Sequence, residues 1–366
     1  MRKIFSSALA VLMLASCTAP EQEGAKILVG TYGESIYEFS YRQIDRSFTQ
    51  ICTIPATRPS FVALTENGLY CVSESDGLPG ARSFRNDGSW TESGCVTGNG
   101  KSPCHILDYE GLVYTADYTS GSLSVFSTEN GALKSLKDRI NYPSYYDGSG
   151  PFEDRQNSAH VHQVRNLPEK IASNLSIKGN YIFASDLGND CIHVLTAGDL
   201  KAVTDIPCGP GAGPRHMEFD TERNTLYCVT ELSDEILVWK IGADAGIPVF
   251  TELQRIKADD AGGAGSADIH MRPDGRFLYA SHRLKHDGVS IHAVAEDGTL
   301  TKVGYRTTGI HPRNFALTPD GTQAIVACRD SKTLEVYDID AETGLLSEMK
   351  ACHTFDQDQP VCVIFE

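Results

Sequence analysis

Short runs that alternate apolar and polar residues fill most of the chain, and one kind of run keeps returning. LYCVSE (69–74), LVYTAD (112–117), YIFASD (181–186), LYCVTE (226–231), FLYASH (277–282) and AIVACR (324–329) are each rich in β-branched, aromatic and small residues. Each is too short for a helix and suits a half-buried or buried strand. Each follows a shorter run opening at RPSF (58–61), SPCH (102–105), AHVH (159–162), GPRH (213–216), ADIH (267–270) or HPRN (311–314). A seventh opening, QPVC (359–362), leads only into VCVIFE. Turn residues such as ENG and PDG separate the runs, and a third alternating strand follows, for example SLSVFS (122–127) or LEVYDI (334–339). A weaker fourth strand closes each unit.

Four strands per unit at intervals of about 44 to 57 residues predict a β-propeller blade. Seven openings predict seven blades. The last unit has one strand, and the chain starts with the three it lacks, ILVGTY, IYEFSY and FTQICTI. Pairing the C-terminal strand with these N-terminal strands would close the ring and remove its edges. The expected fold is therefore an all-β, seven-bladed propeller over residues 26–366. Two stacked β-sandwiches would not explain the matched ends. Outside the first residues, no stretch has a useful helical period.

Residues 1–16 read as a signal peptide: Arg2 and Lys3, an apolar run from Ala8 to Leu14, then Leu-Ala-Ser-Cys ending at Cys17. The ending resembles the bacterial lipobox, which implies cleavage before Cys17 and lipid on its sulfur. Residues 17–25 are the expected leash. The expected address is the bacterial cell envelope, exported and lipid-anchored, with membrane contact through the lipid alone. The formal charge of −16, without a basic run, argues against nucleic-acid binding. Eleven cysteines include no CxxC pair. Cys71, Cys228 and Cys328 recur in matching strands as small buried residues do, so mostly free thiols are expected. Disulfides among Cys52, Cys95, Cys104, Cys191, Cys208, Cys352 and Cys362 stay open.

A blade needs turns and apolar faces, but not buried charge. Aligning the openings puts Phe61, His105, His162, His216, His270, Asn314 and Cys362 in one slot. Its neighbour holds Ser60, Cys104, Val161, Arg215, Ile269, Arg313 and Val361. Arginine fills only two copies, so it serves something other than the repeat. Glu231 ends its strand, with Glu74, Asp117 and Asp186 in matching places, and Arg283 follows FLYASH. These residues should crowd one mouth of the channel. Arginines there can hold a carboxylate, phosphate or oxyanion, a carboxylate can activate water and a histidine can carry the proton. His160 and His162 form a His-x-His pair suited to a metal, but no clear third ligand accompanies them. Neither metal nor cofactor is expected.

The chain resembles the seven-bladed-propeller lactonases, which include propeller-type 6-phosphogluconolactonases and fungal carboxy-muconate lactonizing enzymes. KILVGTY, GSGPFEDRQNSAHVHQV (148–164), ASDLGND (184–190), GPRHMEF, TEL (230–232), YASHR (279–283), HPRNF (311–315) and PVCVIF match the family's motifs in order. The resemblance implies a hydrolase of an anionic sugar-acid lactone, with catalytic His162 (or His160), Arg215 and Glu231. It also implies substrate contacts from Arg283 and, in the loop before the His pair, Arg155 and Gln156. His160, His216 and Arg313 join the substrate-binding candidates. Either Glu231 or His162 would activate water. The stretch at 165–180 and His282 depart from the pattern, and the signal peptide suits an unphosphorylated or uronic lactone better than a phosphorylated one. Two further readings stay open: a surface platform for a glycan or protein, and a cyclase of muconate type.

Overall fold

The computed structural model describes residues 24–75, 77–98 and 100–366. The expected signal peptide, Cys17 and most of the expected leash lie outside them. The first strand begins at Ala25, one residue before the expected domain boundary.

Among the described residues the strands form seven four-stranded antiparallel sheets. Blades 1 to 6 open with inner strands Val62–Thr65, Pro103–Tyr109, Val161–Asn166, Pro214–Asp220, Ser266–Met271 and Pro312–Leu317. The inner strand of blade 7 is Pro360–Phe365, paired with Ala25–Thr31, to which Ser35–Arg42 and Ser47–Pro55 are added. The C-terminal strand thus closes the ring as its sequence implied. One element was not foreseen: a short helix, Glu169–Leu175, within the unusual 165–180 stretch. Its seven residues give less than two full helical periods, too few for a periodic signal, and its Ile171 is buried against blades 3 and 4.

The core lies between the blades. Alternate residues of each strand face opposite sides, and in a propeller both sides meet a neighbouring sheet. Phe183, Ile192 and Val194 of blade 3 therefore pack on Met217, Leu226 and Leu237 of blade 4. Ile27, Val29 and Phe39 of blade 7 pack on Ile325, Leu334 and Val336 of blade 6. The tyrosines of the repeated second strands tie blade to blade. The hydroxyls of Tyr70, Tyr227 and Tyr279 donate to the carbonyls of Gly131, Gly298 and Gly344 in the next blade, at 2.7–2.9 Å.

A second recurring device aims the inner strands. Asp190 of blade 3 accepts from the amides of Gly211 and Gly213, just ahead of Pro214, at 2.7 and 2.6 Å. Asp234 of blade 4 does the same for Gly265 and Ser266, and Asp287 of blade 5 for His311. Each carboxylate satisfies amides that the sheet ladder does not reach. Each thereby fixes where the next blade begins.

Candidate active site

The inner strands are irregular where they enter the channel. The register slips between Pro214 and His216 and leaves Arg215 out of the ladder; Cys104, His162 and Arg313 stand out in the same way. Such a bulge re-aims one side chain. The pairing corrects the sequence alignment at two blades. His162, not Val161, occupies the arginine slot of blade 3, and Gln163 stands where His216 stands in blade 4. In blade 5 Ala267 and Asp268 fill the two slots assigned to Ile269 and His270. Both misreadings fell on openings without proline, where no fixed landmark anchors the count. Asp117 and Asp186 are likewise shifted. They match Thr230 rather than Glu231, and they are spent inside their own blades on Ser124 and on the His160 amide.

The residues of the His216 position lace the ring. Gln163 Oε1 accepts from the Met217 amide and Asn314 Oδ1 from the Val363 amide, both at 2.7 Å. Asp268 bonds His216 Nδ1 at 2.6 Å and accepts from Asn314 Nδ2 at 2.5 Å. Asp268 was missed from sequence because ADIH was read from its histidine. His216 therefore turns one nitrogen to Asp268 and the other, Nε2, to Arg215 Nη1 at 3.3 Å.

Above this ring lies the charged cluster. Glu231 is 5% exposed and meets three arginines: Arg155 Nη2 at 2.7 Å, Arg215 Nε at 2.8 Å and Arg283 Nη2 at 3.0 Å. Arg215 is 2% exposed and Arg283 4%. Arg215 Nη1 also donates to the Ala267 carbonyl and Arg283 Nε to the Gly265 carbonyl, while Arg283 Nη1 lies 3.3 Å from His311 Nε2; the Arg215 Nη2 donors stay open among the described residues. Burial opposes ionisation of Glu231, but Arg283, Arg215 and Arg155 outweigh it and hold its carboxyl well below the usual carboxylate range. Arg155 comes from the loop before the His pair and also contacts the Tyr118 hydroxyl at 3.0 Å. Gln156 bonds within its own loop. It is fully buried, and its amide bonds the Leu187 carbonyl and the Phe152 amide, so it holds the loop rather than a ligand.

Arg313 differs from its counterpart. Its guanidinium lies 5.4 Å from the Tyr32 ring centre and makes no hydrogen bond or ion pair among the described residues. Its donor fork is available to an anion. His162 is buried beside it, and burial together with the positive field of Arg215 holds the imidazole neutral. His160 is turned aside: its ring stacks on Tyr118 at 4.5 Å and Nδ1 bonds the Tyr118 carbonyl. His162 meets the same Tyr118 ring edge-on at 5.5 Å. Among the described residues, the group spaced to hold a metal is Cys191, His193 and Asp205, within blade 3. There both nitrogens of His193 are already engaged, by Asp205 and Asp186.

Ser60, Glu74, Cys104, His162, Arg215 and Arg313 line a cavity of about 260 Å³, counted to its open mouth. Roomier grooves occur on the outer flanks, such as the one of about 1050 Å³ along Tyr41, Gln43 and Arg46, but there Arg46 is paired with Asp338 and Gln43 with Asp320. The channel cavity is the one with the chemistry.

Residues 26–365 match the family model described as "Lactonase, 7-bladed beta-propeller". A 6-phosphogluconolactonase of Bacillus subtilis is 31% identical over 357 residues, covering 92% of this chain and 97% of its own. A 6-phosphogluconolactonase of Formosa agariphila is 32% identical over 79% of this chain and 84% of its own. Among solved structures, a periplasmic gluconolactonase of Pseudomonas aeruginosa superposes with a TM-score of 0.82 at 26% identity, over 93% of this chain and 98% of its own.

Proposed function

The chain belongs to the seven-bladed β-propeller lactonase family, and from that premise we propose that it hydrolyses a sugar-acid lactone at the channel mouth. The observation that carries the reading is the arrangement of buried arginines. Arg215 and Arg283 are locked in place by Glu231, and Arg313 presents an unpaired fork beside them. Arginines fixed before the substrate arrives cost no reorganisation when an oxyanion forms. In this reading Arg215 and Arg283 polarise the lactone carbonyl, and Arg313 takes the anionic or hydroxyl-rich end. Glu231, committed to three cations, orders the arginines instead of taking a proton. His162, neutral and facing the cavity, donates a hydrogen bond to the ring oxygen as it departs.

Relatives named 6-phosphogluconolactonase support hydrolysis of a sugar lactone. The signal-like start and the similarity to a periplasmic gluconolactonase favour an unphosphorylated substrate met outside the inner membrane. In the same reading Cys17 carries the lipid anchor, and Cys17→Ser releases the protein from the membrane fraction. Proton release at constant pH tests the reaction, with gluconolactone, 6-phosphogluconolactone and uronic lactones each corrected for spontaneous opening. Acceleration lost in Arg215→Ala supports it. A protein that accelerates none of them is not a lactonase of this class.

A further inference from the structure

Two buried oxygens on blade 1 have no hydrogen-bond partner: Ser60 Oγ and Glu74 Oε2. Both residues line the channel cavity. Buried polar atoms left unpaired are rare and call for an explanation.

The explanation lies in the repeat. The pairing of Val62 with Cys71 matches that of Met217 with Cys228, so Ser60 and Glu74 stand where Arg215 and Glu231 stand in blade 4. In blade 4 the arginine Nε bonds the glutamate Oε2 at 2.8 Å. Serine is too short to reach across, so Glu74 keeps an oxygen turned to the cavity. Its hydrogen-bonding neighbours leave Oε2 unpaired, and Arg313 acts on its charge only through space. The Tyr32 hydroxyl approaches Oε1 only to 3.4 Å, and Arg58 Nε is spent on the Glu74 carbonyl at 2.6 Å. Glu74 enters no ion pair among the described residues. The cavity is small, about 260 Å³ to its open mouth, and a water buried in it takes two to four polar partners. Ser60, Glu74 and His162 supply them, with Arg313 beside them.

We propose that Glu74 is the general base of the reaction, and that Ser60 fixes the attacking water against it. This rests on the lactonase reading of the same site. The water oxygen bonds to the lactone carbonyl carbon while one of its protons passes to Glu74. The carbonyl π pair moves onto oxygen, facing Arg215 and Arg283. As the tetrahedral intermediate collapses, the bond from carbon to the ring oxygen breaks and the proton on Glu74 passes to that oxygen. The product acid then loses its own proton to solvent, one per turnover. Sequence similarity had offered Glu231 or His162 for this step; in this reading Glu231 is committed to its three arginines instead.

The test uses the full chain in detergent, with gluconolactone as substrate and gluconate as the binding probe. Glu74→Gln should lower kcat by about 10²–10⁴-fold, the range of general-base catalysis, with gluconate affinity kept within about threefold. Retained gluconate binding shows that the variant is folded. Glu74→Ala should regain at least about tenfold of its lost rate with added formate, which a structural role would not produce. Ser60→Ala should cost about 3–10-fold in kcat, as for one hydrogen bond. A Glu74→Gln enzyme with wild-type kcat, or a Glu74→Ala enzyme deaf to formate, overturns the assignment while leaving the lactonase intact. A wild type inert on every lactone overturns both.

Discussion

Glu231→Gln removes one negative charge from a pocket holding two nearly inaccessible guanidinium groups. At an effective dielectric of about 20, each close arginine–carboxylate pair is worth about 4 kcal/mol before desolvation. The desolvation of Glu231, Arg215 and Arg283 consumes most of that, so the intact cluster adds little net stability. The substitution is different, because it keeps the desolvation and discards the attraction. Breaking a buried pair by removing one partner costs about 3–5 kcal/mol. With an unfolding entropy of about 2.1 cal/mol/K per residue, a domain of this size should lose about 4–7 °C in Tm. The pH dependence has a defined sign. The carboxyl is held below its unfolded value, so its contribution is present above about pH 4.3 and fades as pH falls below that. The assay is thermal unfolding of wild type and variant from pH 7 down to pH 3. A gap of several degrees at pH 7 that narrows under acid is expected. A variant within 1 °C of wild type at pH 7 would refute the claim that the arginines depend on Glu231.

Arg313→Ala removes a cation that makes no hydrogen bond or ion pair among the described residues, though its charge acts on Tyr32 and Glu74. It should leave Tm within about 1 °C yet weaken gluconate binding about 10–100-fold by calorimetry, the span of a charged hydrogen bond; unchanged affinity would remove Arg313 from the site. Burial works against charge on His193, but Asp186 and Asp205 outweigh it and push it up to about 11. Its stabilisation is full below about pH 6.5 and is lost as pH rises towards 11, so the Tm gap between wild type and His193→Gln should shrink between pH 6 and pH 10. A gap that widens would show the pair to be wrongly read. All ten cysteines among the described residues are free, and Cys95 and Cys352 are the exposed ones. In the native protein a thiol reagent should modify these two quickly and the buried ones only after unfolding; fast labelling of Cys71 or Cys328 would contradict the packing.

The fold was legible because a blade writes itself into period-2 strands and turn residues, and seven copies reinforce one another. The site was legible where proline marked the slot, as at Arg215 and Arg313. It blurred at AHVH and ADIH, where a bulge shifts one residue out of the ladder and composition does not reveal which. That is why His162 was placed among the wrong neighbours and Asp268 was passed over. Glu74 was seen as the counterpart of Glu231. The difference between them is a matter of reach between two side chains, serine against arginine, and only their spatial pairing exposes it. The aspartates that grip each following loop, such as Asp190 and Asp234, carry no pattern beyond a lone acid in a turn.

The strand that completes blade 7 pairs Ile27 with Phe365 across almost the whole chain. Six blades can assemble from neighbouring segments as synthesis proceeds, but the seventh must wait for residues 360–365. Until then the first and sixth blades each lack the neighbour that covers them, and the channel has a gap in its wall. Val361, which lines the channel cavity, arrives with that final strand. Completion of the channel cavity and the last topological step of folding are therefore one event. The low-entropy route through local contacts ends in a single closure of very large sequence separation. Removing even the last few residues should therefore cost far more than their number suggests, because it reopens the ring rather than trimming an end.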